Sequence, residues 1–198
     1  MPGCSSRAAR APLAKWSRPC QPRLVLNPSA PASKELKYAR VELERRFLLA
    51  DVPGEVTRRV RIVDRYISGT RLRLRHLAWD DGSVFYKLTQ KVPRPDGRPG
   101  LITTMYVNAG EFDTLSALPG RLLRKTRLSV PPFGVDLFDE PLSGVLIGEV
   151  EFATEDAMAA FEPPASAVVE ITGDRRLTCA ALAEADREEV HAVLRSYR

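Results

Sequence analysis

Only two histidines and three cysteines occur in 198 residues. Cys4, Cys20 and Cys179 are odd in number and widely spread, which excludes a disulfide framework and a cysteine zinc motif and fits a reducing compartment. With His76 and His191 alone, a histidine-rich metal centre is excluded and a Ser-His-Asp triad has few candidates. No apolar run approaches the roughly 20 residues that span a bilayer, and no secretory apolar region is present. A soluble, cytoplasmic protein without a membrane partner is expected. Acids are missing from one stretch: residues 1 to 34 hold Arg7, Arg10, Lys15, Arg18, Arg23 and Lys34 but no Asp or Glu. The formal charge of +5 belongs to that end, because setting those six aside leaves 24 basic against 25 acidic side chains. Nucleic acid is therefore not the expected partner of the main body, and any such affinity would reside in the tail. The tail is rich in Pro, Ser, Ala and Arg without an apolar period. It resembles an organelle transit peptide in composition, but a disordered extension or an upstream start codon is the simpler reading. Residues 35–198 are expected to form one folded domain.

Charged residues two apart stand out in that domain. Glu42, Glu44 and Arg46 form one such stripe, and Arg71, Arg73 and Arg75 a second. Lys87, Thr89 and Lys91 form a third, Lys125 and Arg127 a fourth, and Glu149 and Glu151 a fifth. Side chains in a strand alternate faces, so each segment presents its charges on one side, with Leu43, Leu72, Leu74, Leu88, Thr126 and Val150 on the other. A closed antiparallel barrel with a charged lumen satisfies both faces.

Alternation predicts eight strands, at 40–49, 59–67, 70–78, 83–92, 101–107, 121–130, 133–138 and 145–153. Asp80, Asp81 and Gly82 supply a hairpin turn. Asn108 with Glu111, and Thr154 with Glu155 and Asp156, signal short helices, and residues 178–196 read as one longer amphipathic helix. Brought into one cavity, several carboxylates raise one another's pKa unless cations compensate, and a divalent metal is the economical solution. Oxygen ligands without Cys or His favour Mg²⁺ or Mn²⁺. Arginine forks and lysines beside them suit a polyanion carrying several phosphates.

These motifs resemble a known family, the CYTH domain or triphosphate tunnel metalloenzymes. Glu42-Leu43-Glu44-Arg45-Arg46 is similar to its opening Glu-x-Glu-x-Lys, with Arg in the last place. Arg73-Leu74-Arg75, Leu88-Thr89-Gln90-Lys91, Lys125-Thr126-Arg127, Val135-Asp136-Leu137-Phe138 and Gly148-Glu149-Val150-Glu151-Phe152 follow in the family's order. Thr172-Gly173-Asp174 with Arg176 and Leu182-Ala183 resembles its closing segment. The resemblance covers about 36–185. Gly134, two places before Asp136, stands where the family often has Glu, and Leu177 and Cys179 where it commonly has Tyr and Asn.

The resemblance implies an α+β fold, a closed eight-stranded antiparallel β-barrel or tunnel with flanking helices, that acts on a triphosphate with Mg²⁺ or Mn²⁺. By position, Glu42, Glu44, Asp136, Glu149 and Glu151 would serve the metal. Arg46, Arg73, Arg75, Lys91 and Arg127 would hold phosphate oxygens, and Lys125 would help activate the attacking water. Lys87 joins the phosphate contacts on strand parity alone. Hydrolysis of inorganic triphosphate ranks first. Thiamine triphosphatase, a class IV-type adenylate cyclase and a noncatalytic polyphosphate-binding module are the alternatives.

Overall fold

The computed structural model describes residues 37–94 and 98–197. The chain divides into Met1–Lys37 and Tyr38–Arg198, and the basic segment expected at 1–34 lies outside the described residues. In the second unit the order is β1 (Arg40–Val41), β2 (Glu44–Leu49), β3 (Arg58–Ile67), β4 (Leu72–Trp79), β5 (Val84–Val92), β6 (Leu101–Val107), α1 (Ala109–Ser116), β7 (Gly120–Val130), β8 (Phe133–Phe138) and β9 (Leu146–Glu151). Then come α2 (Glu155–Ala159), β10 (Ala167–Glu170), a 3-10 turn (Arg175–Leu177), α3 (Cys179–Leu182) and α4 (Arg187–Arg195). No helix among the described residues is long and apolar enough to cross a membrane.

All strands belong to one antiparallel sheet, ordered β1-β6-β5-β4-β3-β7-β8-β9-β2-β10. The expectation of a closed eight-stranded barrel needs correction in two respects. Among the described residues there are ten strands, and the end strands β1 and β10 are not paired with each other. The first expected strand divides because its halves bond to different neighbours. β1 pairs with β6 and Glu42 N–H donates to Gly100 O at 3.0 Å, whereas β2 pairs with β9 and Phe152 N–H donates to Leu43 O at 2.8 Å. One run of chain, 40–49, thus bonds to both flanks of the sheet. β10, unforeseen because it is four residues long and follows Pro163 and Pro164, adds to β2 with a register shift between Ala167 and Val169.

Local chemistry explains the connections. Gly82, at φ +84°, turns the chain between β4 and β5, where Trp79 N–H donates to Ser83 O at 2.9 Å. Asn108 and Glu111 cap α1 reciprocally. The single C-terminal helix expected over 178–196 is two. Thr178 caps α3, and Asp186 with Glu189 forms a second capping box that starts α4 afresh. That Asp-x-x-Glu spacing is a helix-start signal lying inside an otherwise continuous apolar period.

Register sorts the side chains. Directly paired residues share a face, so Glu44, Arg46, Glu149, Gly134, Asp136, Arg127, Lys125, Ile62, Asp64, Arg75, Arg73, Lys87, Thr89 and Lys91 all lie on one side of the sheet. On the other side Phe47, Leu49, Leu128, Val130, Phe133, Val135 and Val150 form a core cluster, closed over by Phe152 and Phe161 among others. Gly148 permits the tightest part of it, since a Cβ there would sit 2.9 Å from both Leu49 Cδ1 and Phe133 Cδ1. The charged side has an apolar end of its own. Leu48, Leu123, Phe138 and Ile147 pack there with Ile171, Leu177, Leu182 and Val190, which fixes the C-terminal helices against the sheet. His76 stacks with Tyr86 and Phe112 at ring distances of 5.4 and 6.0 Å, and His191 lies exposed on α4.

Candidate active site

The charged face works because its cations and acids are interleaved across neighbouring strands. Lys125 and Asp136 are both 0% exposed. The ammonium donates to Asp136 Oδ2, lies 5.6 Å from the Phe138 ring centroid, and donates to Cys179 Sγ at 3.4 Å. Arg127 closes on the same carboxylate from the other side, Nε to Oδ1 and Nη2 to Oδ2 at 2.7 Å each, and its Nη2 also donates to Glu149 Oε2. Isolated charges at such burial would be untenable, and mutual pairing is what retains them. Gly134 leaves room for the Arg127 side chain, since a Cβ there would lie 3.3 Å from Arg127 Cδ, a tight approach. The position that often carries Glu in the resembled family is therefore roofed by Arg127.

The protonation states follow from this geometry. Burial would raise the Asp136 pKa, but Arg127 and Lys125 hold it well below the usual carboxylate range. Burial would lower Lys125 and Arg127, and Asp136 raises both, joined by Glu149 at Arg127. Glu149 is lowered overall, with burial opposing and Arg127 prevailing. Glu44 goes the other way, pushed up to about 7 by burial and then by the neighbouring Glu149. Two acids on adjacent strands thus differ in readiness to ionise, because Arg127 bonds Glu149 directly whereas Arg46 Nε stands 3.7 Å from Glu44.

The remaining expected residues are distributed as follows. Glu42 accepts from Lys91 Nζ at 2.7 Å. Glu151 pairs in register with Glu44 and is exposed. Lys87 Nζ stands 5.0 Å over the Tyr106 ring. Arg73 Nη2 donates to Thr89 Oγ1 at 3.3 Å, and Thr89 in turn contacts Thr104 Oγ1 at 3.1 Å. Arg46 and Arg75, expected among the phosphate contacts, face protein groups. Arg46 is 5% exposed, and its guanidinium donates to the carbonyls of Leu177, Ile171, Thr172 and Asp174 at 2.9, 3.2, 3.3 and 3.4 Å. Arg75 is forked onto Asp64 at 2.6 and 2.7 Å.

Among the described residues, the group whose donor atoms converge as a metal site requires is Asp136, Glu149 and Cys179, all within 4.8 Å of one another. It includes two of the five acids expected there, and leaves out Glu42, Glu44 and Glu151. Two further residues of the face, the buried Asp64 and the half-buried Tyr66, fall outside the motifs read from sequence. The signal was present in the β3 alternation Val60, Ile62, Asp64, Tyr66, where an acid interrupts an apolar series and demands a cation opposite.

No protein-family model matches the chain. An inorganic triphosphatase of Nitrosomonas europaea is 34% identical over 155 residues, covering 72% of this chain and 96% of that protein. The crystal structure of the inorganic triphosphatase NE1496 superposes with a TM-score of 0.51 at 31% identity, over 74% of this chain and 96% of that one. A further crystal structure, described as the hypothetical protein NE1496, gives 0.51 at 33% identity, over 73% and 99%. With identity of this order across nearly the whole of the relative, the chain belongs to the family of the Nitrosomonas europaea inorganic triphosphatase.

Proposed function

We propose that this protein hydrolyses inorganic triphosphate to diphosphate and phosphate with Mg²⁺ or Mn²⁺, as a CYTH-type triphosphate tunnel metalloenzyme. The observation that carries the reading is the convergence of Lys125, Arg127, Asp136 and Glu149 on one buried face that continues into Arg73, Lys87 and Lys91. The relative's activity agrees with it. Bonding of residues 40–49 to β6 at one end and β9 at the other supports curling of the sheet about this face into a tunnel.

The carboxylates of Asp136 and Glu149 fit a hard divalent cation in donor type and spacing, and Glu44, Glu42 and Glu151 extend that acidic side; the Cys179 thiol is not a hard ligand and stays outside the set. When bound, the ion neutralises phosphate oxygens and acidifies water. The protein's own groups do the rest. Arg73, Lys87, Lys91 and Arg127 hold phosphate oxygens, aligning the terminal phosphorus for in-line attack and offsetting charge on the leaving diphosphate. Lys125, kept protonated by Asp136 in the resting site, stabilises charge on the transferred phosphoryl group. It can take a proton from water only as the neutral amine, a form that burial favours once Asp136 is engaged elsewhere. Arg46 anchors the C-terminal segment.

Phosphate release from tripolyphosphate with Mg²⁺, with Mn²⁺ and with EDTA tests the proposal, alongside Glu149→Gln and Lys125→Ala. Turnover that needs metal and collapses in both variants is expected. Equal rates in wild type and variants would reject the assigned roles.

A further inference from the structure

Two hydroxyls on the charged face have no part in the metal and phosphate roles. Arg73, Thr89 and Thr104 stand opposite one another in register on β4, β5 and β6, so the three side chains form one row across the face. Thr89 is 0% exposed, and Thr104 is exposed. Thr89 Oγ1 accepts from Arg73 Nη2 at 3.3 Å and lies 3.1 Å from Thr104 Oγ1. Being buried, Thr89 cannot give its own proton to water, and it satisfies both neighbours by donating to Thr104 while it accepts from Arg73. A hydroxyl that donates is a better acceptor, so Thr104 strengthens the hold of Thr89 on the guanidinium. Another nitrogen of that guanidinium, Nε, is buried 3.8 Å from Asp64 Oδ1, with no hydrogen-bond partner among the described residues. The row therefore fixes one nitrogen of Arg73 and leaves a second for an anion.

We infer that Thr89 and Thr104 are positioning residues that hold Arg73 in the orientation in which it receives a phosphate group. The inference rests on the triphosphatase reading above. An arginine side chain loses rotamer freedom when it grips an anion, and one already restrained before binding has less to lose. Ion pairing does not supply that restraint, since Asp64 is forked onto Arg75 and approaches Arg73 only to 3.8 Å. Threonine suits the task for two reasons. Its β-branched side chain is stiff at χ1, which fixes the direction of the hydroxyl. It is also neutral, whereas a carboxylate at the same place would repel the polyphosphate that Arg73 is to hold.

The test compares wild type with Thr89→Val, Thr89→Ser, Thr104→Val and the double valine variant, each in the full chain. Calorimetry measures tripolyphosphate binding in EDTA, and steady-state turnover is measured with Mg²⁺. Valine keeps the shape of threonine and removes the acceptor. Thr89→Val should therefore weaken tripolyphosphate binding about tenfold, the effect of one hydrogen bond to a charged group. KM should rise by a like factor while kcat changes less than about threefold. Serine restores the hydroxyl and should bring binding back to within about threefold of wild type. Thr104→Val should weaken binding about threefold on its own and have no further effect beside Thr89→Val, because it acts through Thr89. Thr104 is exposed, so this variant requires no repacking of the interior and keeps the test open if Thr89→Val fails to fold. Wild-type affinity in folded Thr89→Val or in Thr104→Val would overturn the inference. So would a loss that serine does not restore, or single effects that simply multiply in the double variant. A wild type that neither binds nor cleaves tripolyphosphate removes the functional reading itself, whereas turnover that is indifferent to both threonines removes only this inference.

Discussion

Replacing Arg46 with methionine separates an anchor from a phosphate ligand. In the structure its guanidinium donates to four carbonyls of the segment that leads from β10 to the 3-10 turn, two of them at 3.2 Å or less. Thr172 Oγ1 accepts from Arg46 N–H at 3.0 Å, and Ile171 N–H donates to Arg46 O at 2.8 Å, so both backbone and side chain tie this segment down. Methionine keeps most of the apolar stem and removes the fork. Counting only the two shorter bonds, at about 1.5 kcal/mol each for a charged donor, gives a loss of about 3 kcal/mol. For a domain of this size that corresponds to a melting point about 6–12 °C lower. The assay is thermal and urea unfolding followed by circular dichroism, with turnover measured well below the melting point. A variant that melts like wild type while its KM for tripolyphosphate rises more than about tenfold would refute the anchor and return Arg46 to the substrate.

Glu44, with its pKa pushed up to about 7 from an ordinary value near 4.5, binds its proton more tightly in the folded protein. Its contribution to stability is complete below pH 4.5 and is lost as pH rises through 7, by about 3 kcal/mol in total. Urea titrations should show that slope in wild type relative to Glu44→Gln, and parallel curves for the two proteins would contradict it. Apparent Mg²⁺ affinity should climb with pH up to about 7 in wild type and flatten in the variant, as seen by calorimetry. Lys125→Met should lower kcat by about a hundredfold or more with little change in KM, because the lost interaction belongs to the transition state; a pure KM effect would argue against it. Gly148→Ala forces a methyl to within 2.9 Å of Leu49 and Phe133. It should destabilise by about 1–3 kcal/mol, and a melting point within a degree of wild type would show that the cluster yields freely.

Much of this protein is legible in its alternation. Arg73 and Arg75 against Leu72 and Leu74, or Glu149 and Glu151 about Val150, fix which face each side chain takes as soon as the segment is a strand, since that period is built into extended backbone. Antiparallel pairing of β4 with β5 followed from Gly82 in its turn, and the start of α1 from Asn108 and Glu111. Tertiary structure decided who meets whom. Nothing local distinguishes Arg75, forked onto Asp64, from Arg73, whose Nε stands 3.8 Å from the same carboxylate, because the difference is set by a register across β3 and β4. Nor does the opening motif foretell that Arg46 reaches a segment about 130 residues later in the chain, or that 40–49 bonds to both β6 and β9. The sequence determined the faces and the kinds of charge on them, through a two-residue period that any strand obeys. The partners of each charge were decided only by the fold, because an ion pair depends on distances between strands, and those exist only once the sheet has assembled.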